Sequence, residues 1–242
     1  MRGRLLVAAV GTAAVIALAG GGAYVYFFSG LRSSPNALGL SSPSPAAGAS
    51  ETPSASSMGL AGEWKVTTGS IAGYRVKELF VGESAKHEAV ARSSSVSGGV
   101  TVSGDAPSGY RVSTITISVN LGDLHSVDSV VGRNVTQRDG IVGRQLDVLQ
   151  FPNATFTASE VSIPGPVAGQ QVSVTIPGKL TIHGVTKDVN VTATAQLSGD
   201  KIEIAGSVPA TMADFGVSPP FAPFVTVDST ITIEFDIFLA KA

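Results

Sequence analysis

The 242-residue sequence contains no cysteine, which excludes a disulfide scaffold and any thiolate metal site. Charge is sparse too: 14 % of residues are charged, the formal net charge is −2, and no basic run occurs. Neutralising a phosphate backbone requires clustered lysine and arginine, so nucleic acid is excluded as a partner. The three histidines, His87, His125 and His183, fall at no metal-ligand spacing, and no G-x-S-x-G is present. Ser84-Ala85-Lys86 is a lone S-x-K that a surface loop explains, and Asp123, Asp128, Asp139 and Asp147 read as helix caps and solvated faces. The reading is therefore not an enzyme, with no cofactor and no metal. Aromatics are few (6 %), and the 43 % hydrophobic content rests on Val, Ala and Ile beside 28 glycines. That mixture suits sheet and turns more than a helical bundle.

What is present divides into three unlike segments. Residues 1–32 hold the longest apolar stretch, Leu5 to Phe28, twenty-four residues without a charge. At ~1.5 Å per residue a helix of that length exceeds the ~30 Å hydrocarbon core. Arg2 and Arg4 precede it, so the positive-inside rule leaves everything after Phe28 extracytoplasmic. A cleaved signal peptide is the competing reading, with Ala17-Leu18-Ala19 as its small-x-small site and a secreted protein as its product. The apolar run continues past that site to Phe28, which favours an uncleaved anchor in the cell membrane. In residues 33–60, 21 of the 27 from Ser33 to Gly59 are Ser, Pro, Ala or Gly. Such a stretch buries too little apolar surface to offset its ordering entropy and reads as a disordered tether, roughly 30 Å in r.m.s. span and about 80 Å when extended.

Residues 61–242 form one domain, and its hydrophobic period is two. Val225, Val227, Ile231, Ile233, Phe235, Ile237 and Leu239 alternate with polar residues, and the pattern recurs at Ile115–Leu121, Val172–Ile176, Val189–Leu197 and Ile202–Val208. Shorter candidate strands lie at 73–81, 85–92, 96–103 and 154–161. Turn signals at Ser103-Gly104-Asp105, Pro164-Gly165-Pro166, His183-Gly184 and Ser198-Gly199-Asp200 predict hairpins and an antiparallel meander. Between Leu121 and Pro152, Val127, Val131 and Val135, then Val142, Leu146 and Leu149, recur at helical spacing and predict one or two short helices. Such strands either close into a barrel or stack as a sandwich.

The segments Ser70-Ile71-Ala72-Gly73-Tyr74-Arg75-Val76, Arg138-Asp139-Gly140, Asp147-Val148 with Phe151-Pro152-Asn153-Ala154-Thr155-Phe156, Gly178 to Val189 around Leu180-Thr181-Ile182-His183-Gly184-Val185-Thr186, and Asp214-Phe215-Gly216 resemble, in order and spacing, the YceI-like family. The resemblance implies an all-β, antiparallel lipocalin-like barrel of about eight strands with a short helical insertion, holding a polyisoprenoid chain in the bacterial envelope. The chain departs from the family pattern at Glu78 and Ile141, where many relatives carry His, and at Gln145-Leu146, where an aromatic pair is usual.

The functional expectation is a membrane-tethered, extracytoplasmic lipid-binding protein, serving as carrier, buffer or sensor of an isoprenoid-type lipid. Parity places Tyr74, Val76, Phe156, Leu180, Ile182, Ile204, Ile233 and Phe235 inward. Small inward residues, Ala72, Ala89, Ala158, Ala193, Ala195, Gly206 and Ser229, leave room for a ligand. Phe215, Phe221 and Phe224 lie in a Pro-rich stretch that reads as a lid at the barrel mouth or as a loop packed on its end. Arg133 and Arg138 are candidate contacts for a head group, and solvated arginines are the alternative. The competing functional readings are a tethered interaction or scaffold domain with a filled barrel, and a hydrolase. Composition leaves the choice between monomer and homodimer open.

Overall fold

The computed structural model describes residues 32–41, 59–164, 170–198 and 200–242. The apolar run Leu5–Phe28, and with it the anchor or signal peptide, lies outside the described residues. Among those described, no helix is long and apolar enough to cross a membrane. The strands are β1 (Arg32–Ser33), β2 (Gly62–Val66), β3 (Ile71–Phe80), β4 (His87–Ser93), β5 (Val96–Asp105), β6 (Gly109–Asn120), β7 (His125–Ser126), β8 (Ser129–Val130), β9 (Asn153–Ile163), β10 (Val172–Ile182), β11 (Val185–Ser198), β12 (Lys201–Thr211) and β13 (Val225–Lys241). One helix, α1 (Gln137–Gln145), interrupts them.

The sheet closes on itself. β2, β5, β6, β9, β10, β11, β12 and β13 pair in that order, and β13 returns to β2, so the barrel has eight antiparallel strands. The alternation leaves a barrel, not a sandwich. The β3–β4 hairpin adds to the same edge of β13 above β2, pairing through Val225–Asp236. Hairpin chemistry sets the register: His183 and Gly184 both adopt positive φ (51° and 73°), the conformation a two-residue turn between right-twisted strands requires. That turn, the β3–β4 turn and α1 share one end of the barrel, called here the helix end; the β11–β12 turn marks the far end.

Two local devices shape the interior. Thr114 takes φ 51°, next to a register shift between β5 and β6, and the phase of alternation changes there. Val112 and Ile115 consequently both face inward. Gly178 and Gly206 lie beneath the rings of Phe156 and Phe235, where a Cβ would come within 2.5 Å and 2.8 Å of ring carbons. The far end is packed shut by Trp64, 4 % exposed, which sits with Val100, Val102, Ile237 and Leu239 and donates its indole N–H to Leu60 O at 2.8 Å.

Three expectations are corrected. Val127, Val131 and Val135 belong to no helix: the segment forms the short strands β7 and β8, because its polar residues are drawn into bonds with β4 and α1. Ser229 is exposed in an irregularity of β13 between Val227 and Ile231, and does not face the interior. The third concerns the tether. Residues 32–41 form an extended strap that descends the outside of the barrel from the helix end. Arg32 pairs with Val130 and ion-pairs with Glu83, and its guanidinium donates to Ala85 O at 2.8 Å. Further down, Arg75 and Arg92 donate to Pro35 O and Asn36 O, the Leu38 N–H donates to Glu234 at 3.0 Å, and the Ser41 N–H to Glu203 at 2.6 Å. Glu234 and Glu203 point outward from their strands, yet they are 1 % and 0 % exposed because the strap covers them. Residues 42–58 of the expected tether lie outside the described residues.

Candidate functional site

The barrel interior is a cavity of about 270 Å³. Its wall is almost wholly apolar. Ile115, Ile117 and Val119 of β6, Phe156 of β9, Ile176 and Leu180 of β10, Val191 and Ala195 of β11, Ile204 and Val208 of β12, and the alternate residues Ile231, Ile233, Phe235, Ile237 and Leu239 of β13 all contribute. This is the face that strand alternation turns inward, so the lumen is a direct product of the period-two pattern. An apolar void of this kind stays dry; an engineered one of ~150 Å³ binds benzene. All eight residues placed inward by parity, Tyr74, Val76, Phe156, Leu180, Ile182, Ile204, Ile233 and Phe235, line the cavity. Of the small residues, Ala72 and Ala195 do so as well, whereas Ala89, Ala193 and Ala158 are packed into the surrounding wall.

The Pro-rich stretch divides. Phe215 is buried against Leu180 and Val217 and lines the cavity. Phe221 is 96 % exposed and Phe224 51 % exposed, and neither reaches the lumen, because the backbone after Val217 turns away over the helix end. Between Val217 and Phe221, only Pro220 touches the cavity.

Polar groups gather at the helix end, where α1 lies over the opening with Val142 and Leu146 facing in. Glu78 of β3, 4 % exposed, points into the lumen there and meets Arg138 of α1. Arg138 Nε and Nη2 each donate to a Glu78 oxygen at 2.9 Å; Nη1 donates to Asp128 at 2.8 Å and Ser126 Oγ at 3.0 Å, and Nη2 also reaches Asp128 at 3.2 Å. A guanidinium has five N–H donors, and here all five are engaged. Asp128 in turn shares a 2.7 Å hydrogen bond with His87 Nε2 and accepts the Val90 N–H. Burial pushes the Asp128 carboxyl up, but bonds from His87, Arg138 and Val90 outweigh it and hold the group at about 2. Asp139 receives the Ser126 N–H and hydroxyl. Tyr74 lies below this cluster in the lumen wall, where burial pushes its phenol well above the ordinary range and keeps it neutral.

Arg138 therefore lines the lumen but has no donor to offer a phosphate, and Arg133 lies outside it, stacked over the Phe80 ring at 4.1 Å and 3.6 Å from Glu83. The reading of Asp128 as a solvated or capping residue is corrected: it is 5 % exposed and belongs to the ion-pair cluster. Sequence alone did not find this cluster, because Glu78, His87, Asp128 and Arg138 are brought together across 60 residues of chain. The only advance signal was Glu78, a carboxylate at an inward position of an alternating strand. Among the described residues, no group of three His, Cys, Asp or Glu side chains is arranged to hold a metal.

Comparison with known proteins agrees with this architecture. A YceI-like domain model matches residues 62–239. A UPF0312 protein of Pseudomonas putida strain F1 is 30 % identical over 130 residues, 51 % of this chain and 62 % of the relative's length; one from Pseudomonas fluorescens is 28 % identical over the same span. Among solved structures, a polyisoprenoid binding domain from Saccharophagus degradans, implicated in plant cell wall breakdown, superposes with a TM-score of 0.53 at 14 % identity, covering 74 % of this chain and 98 % of that one.

Proposed function

We propose, from the premise that the chain belongs to the YceI-like family, that its barrel holds one apolar isoprenoid-type chain as a carrier, buffer or sensor and performs no catalysis. The observation that carries this reading is the apolar lumen closed at one end by Trp64 and bordered by charged lining residues at the other. Each methylene moved from water into such a space contributes about 0.8 kcal/mol. The structural neighbour from Saccharophagus degradans supplies the ligand class, a polyisoprenoid. The charge arrangement narrows it. Arg138 is the one cation among the described lining residues, and its donors are occupied by Glu78 and Asp128. A diphosphate entering here would meet Glu78 without a free cation, so a neutral head group is favoured.

The Leu5–Phe28 run supports membrane attachment with the barrel outside the cytoplasm. The experiment is extraction of the full chain from its native envelope, followed by mass spectrometry of the organic-solvent extract. A neutral isoprenoid co-purifying near one per chain supports the reading. Recovery of prenyl diphosphates alone overturns the head-group assignment, and an extract free of isoprenoids overturns the carrier role.

A further inference from the structure

Seven large apolar side chains are exposed among the described residues, and they are unevenly placed. Val81, Val131, Leu149, Phe221 and Phe224 all sit on loops at the helix end, Val127 lies between β7 and β8 beside β4, and Leu197 alone marks the far end. The five surround the end where the lumen wall reaches its last residues, Leu146 and Pro220. Val81 and Phe224 are joined directly, the Val81 N–H donating to Phe224 O at 3.0 Å. A single exposed apolar side chain needs no explanation, but a group of them gathered at one end marks an interaction surface.

The strap supplies an independent observation. Its first described residue, Arg32, is held at this same end, paired with Val130 beside Val131 and bonded to the β3–β4 turn that carries Val81. The apolar run ends at Phe28. From Phe28 to Arg32 the chain spans at most about 14 Å when fully extended. Residues 42–58, the remainder of the Ser- and Pro-rich stretch, come after the strap and join it to β2. They cannot lengthen the distance between the apolar run and the barrel.

We infer that the barrel stands mouth-down on the bilayer, with Phe221, Phe224, Leu149, Val81 and Val131 dipped into the lipid surface and the strap fixing that orientation. This rests on the membrane-attachment reading above. The occupant of the apolar collar is the bilayer itself, since the strap brings the membrane segment to within four residues of it. The opening then faces the phase in which an isoprenoid dissolves, and a chain passes into the lumen without crossing water.

The test uses the full chain in phosphatidylcholine vesicles. Because the natural sequence has no cysteine, Phe221→Cys, Leu149→Cys and Leu197→Cys each carry one thiol for an environment-sensitive fluorophore, and all three positions are exposed, so folding is spared. Spin-labelled lipid in the vesicles is expected to quench the labels at 221 and 149 several-fold more than the label at 197. Equal quenching at the two ends overturns the orientation, as does no quenching at 221, whether or not the chain floats with the vesicles. Isoprenoid content is measured in the same preparation. Isoprenoid without quenching overturns the docking and spares the lumen reading, whereas quenching without isoprenoid supports the docking and removes the lumen reading.

Discussion

Arg138, on α1, and Glu78, on an inward position of β3, form a two-pronged ion pair with both contacts at 2.9 Å across the lumen opening. The pair fastens α1 to the barrel, and it consumes the only cation of the described lumen wall. The seating of α1 at the helix end follows from this one contact, and the proposal of a neutral ligand head rests on it.

Removing the cation leaves buried Glu78 without its partner and buried Asp128 with only His87 and the Val90 N–H. Breaking a buried pair in this way costs about 3–5 kcal/mol. Arg138→Ala is therefore expected to lower the urea midpoint of unfolding strongly, and Arg138→Lys to recover only part of it, because an ammonium cannot reproduce the fork on Glu78 together with the bonds to Asp128. A midpoint for Arg138→Ala close to wild type contradicts the fastening role.

Beneath the strap, burial and the neighbouring Glu203 raise the Asp236 carboxyl to about 6 from its ordinary 3.8. One of its oxygens is buried without a hydrogen-bond partner among the described residues. The folded state thus binds this proton more tightly than the unfolded state. Its contribution favours folding fully below about pH 4 and is lost as pH rises through 6. Asp236→Asn is expected to be more stable than wild type at pH 7.5, by about 1–2 kcal/mol once partial exposure is allowed for, and to lose that advantage at pH 4. Asp128 has the opposite sign: held at about 2, it supports the fold above 3.8 and loses that support only as pH falls toward 2. Thermal melts of both proteins across pH 2–8 distinguish the two contributions, the Asp236 effect falling between pH 4 and 7 and the Asp128 effect below 3.8.

The strap makes a prediction about exchange. The Leu38 and Ser41 amides donate to carboxylates that are almost fully buried. Hydrogen–deuterium exchange at these two amides is expected to be slowed well below random-coil rates, and Glu234→Ala to restore fast exchange at Leu38. Random-coil exchange across 34–41 in the wild type contradicts a docked strap.

Filling the waist of the lumen separates ligand binding from folding. Val191 lies mid-strand opposite Ile176 and lines the cavity. Val191→Phe places a ring in space now empty, so the expected outcome is a folded barrel with a stability change under about 3 kcal/mol and markedly less bound lipid. Unchanged lipid content in the folded variant contradicts occupancy of the lumen.

The barrel and its lining were legible because alternation is a local signal: Ile231, Ile233, Phe235, Ile237 and Leu239 reveal their face without knowledge of any partner. The Leu180–Val185 hairpin was legible for the same reason, since His183-Gly184 carries the turn chemistry itself. Glu203 and Glu234 were not, because an outward acidic residue reads as wet, and nothing in their strands reports that residues 34–41 lie across them. The strap escaped detection since beyond Ser34 its bonds use backbone N–H and C=O groups, at Pro35, Asn36, Leu38 and Ser41, which a Ser-, Pro- and Ala-rich composition does not advertise. The ion-pair cluster required β3, β4, α1 and the segment before it to converge, a long-range fact that no local pattern encodes.

The most direct test of the lumen account is native mass spectrometry of the full chain released from detergent, beside Val191→Phe prepared identically. The account predicts a wild-type species carrying one apolar adduct whose mass matches a neutral isoprenoid, with the adduct depleted in the variant. A wild-type spectrum containing only the bare chain, or an adduct retained equally by both proteins, contradicts it.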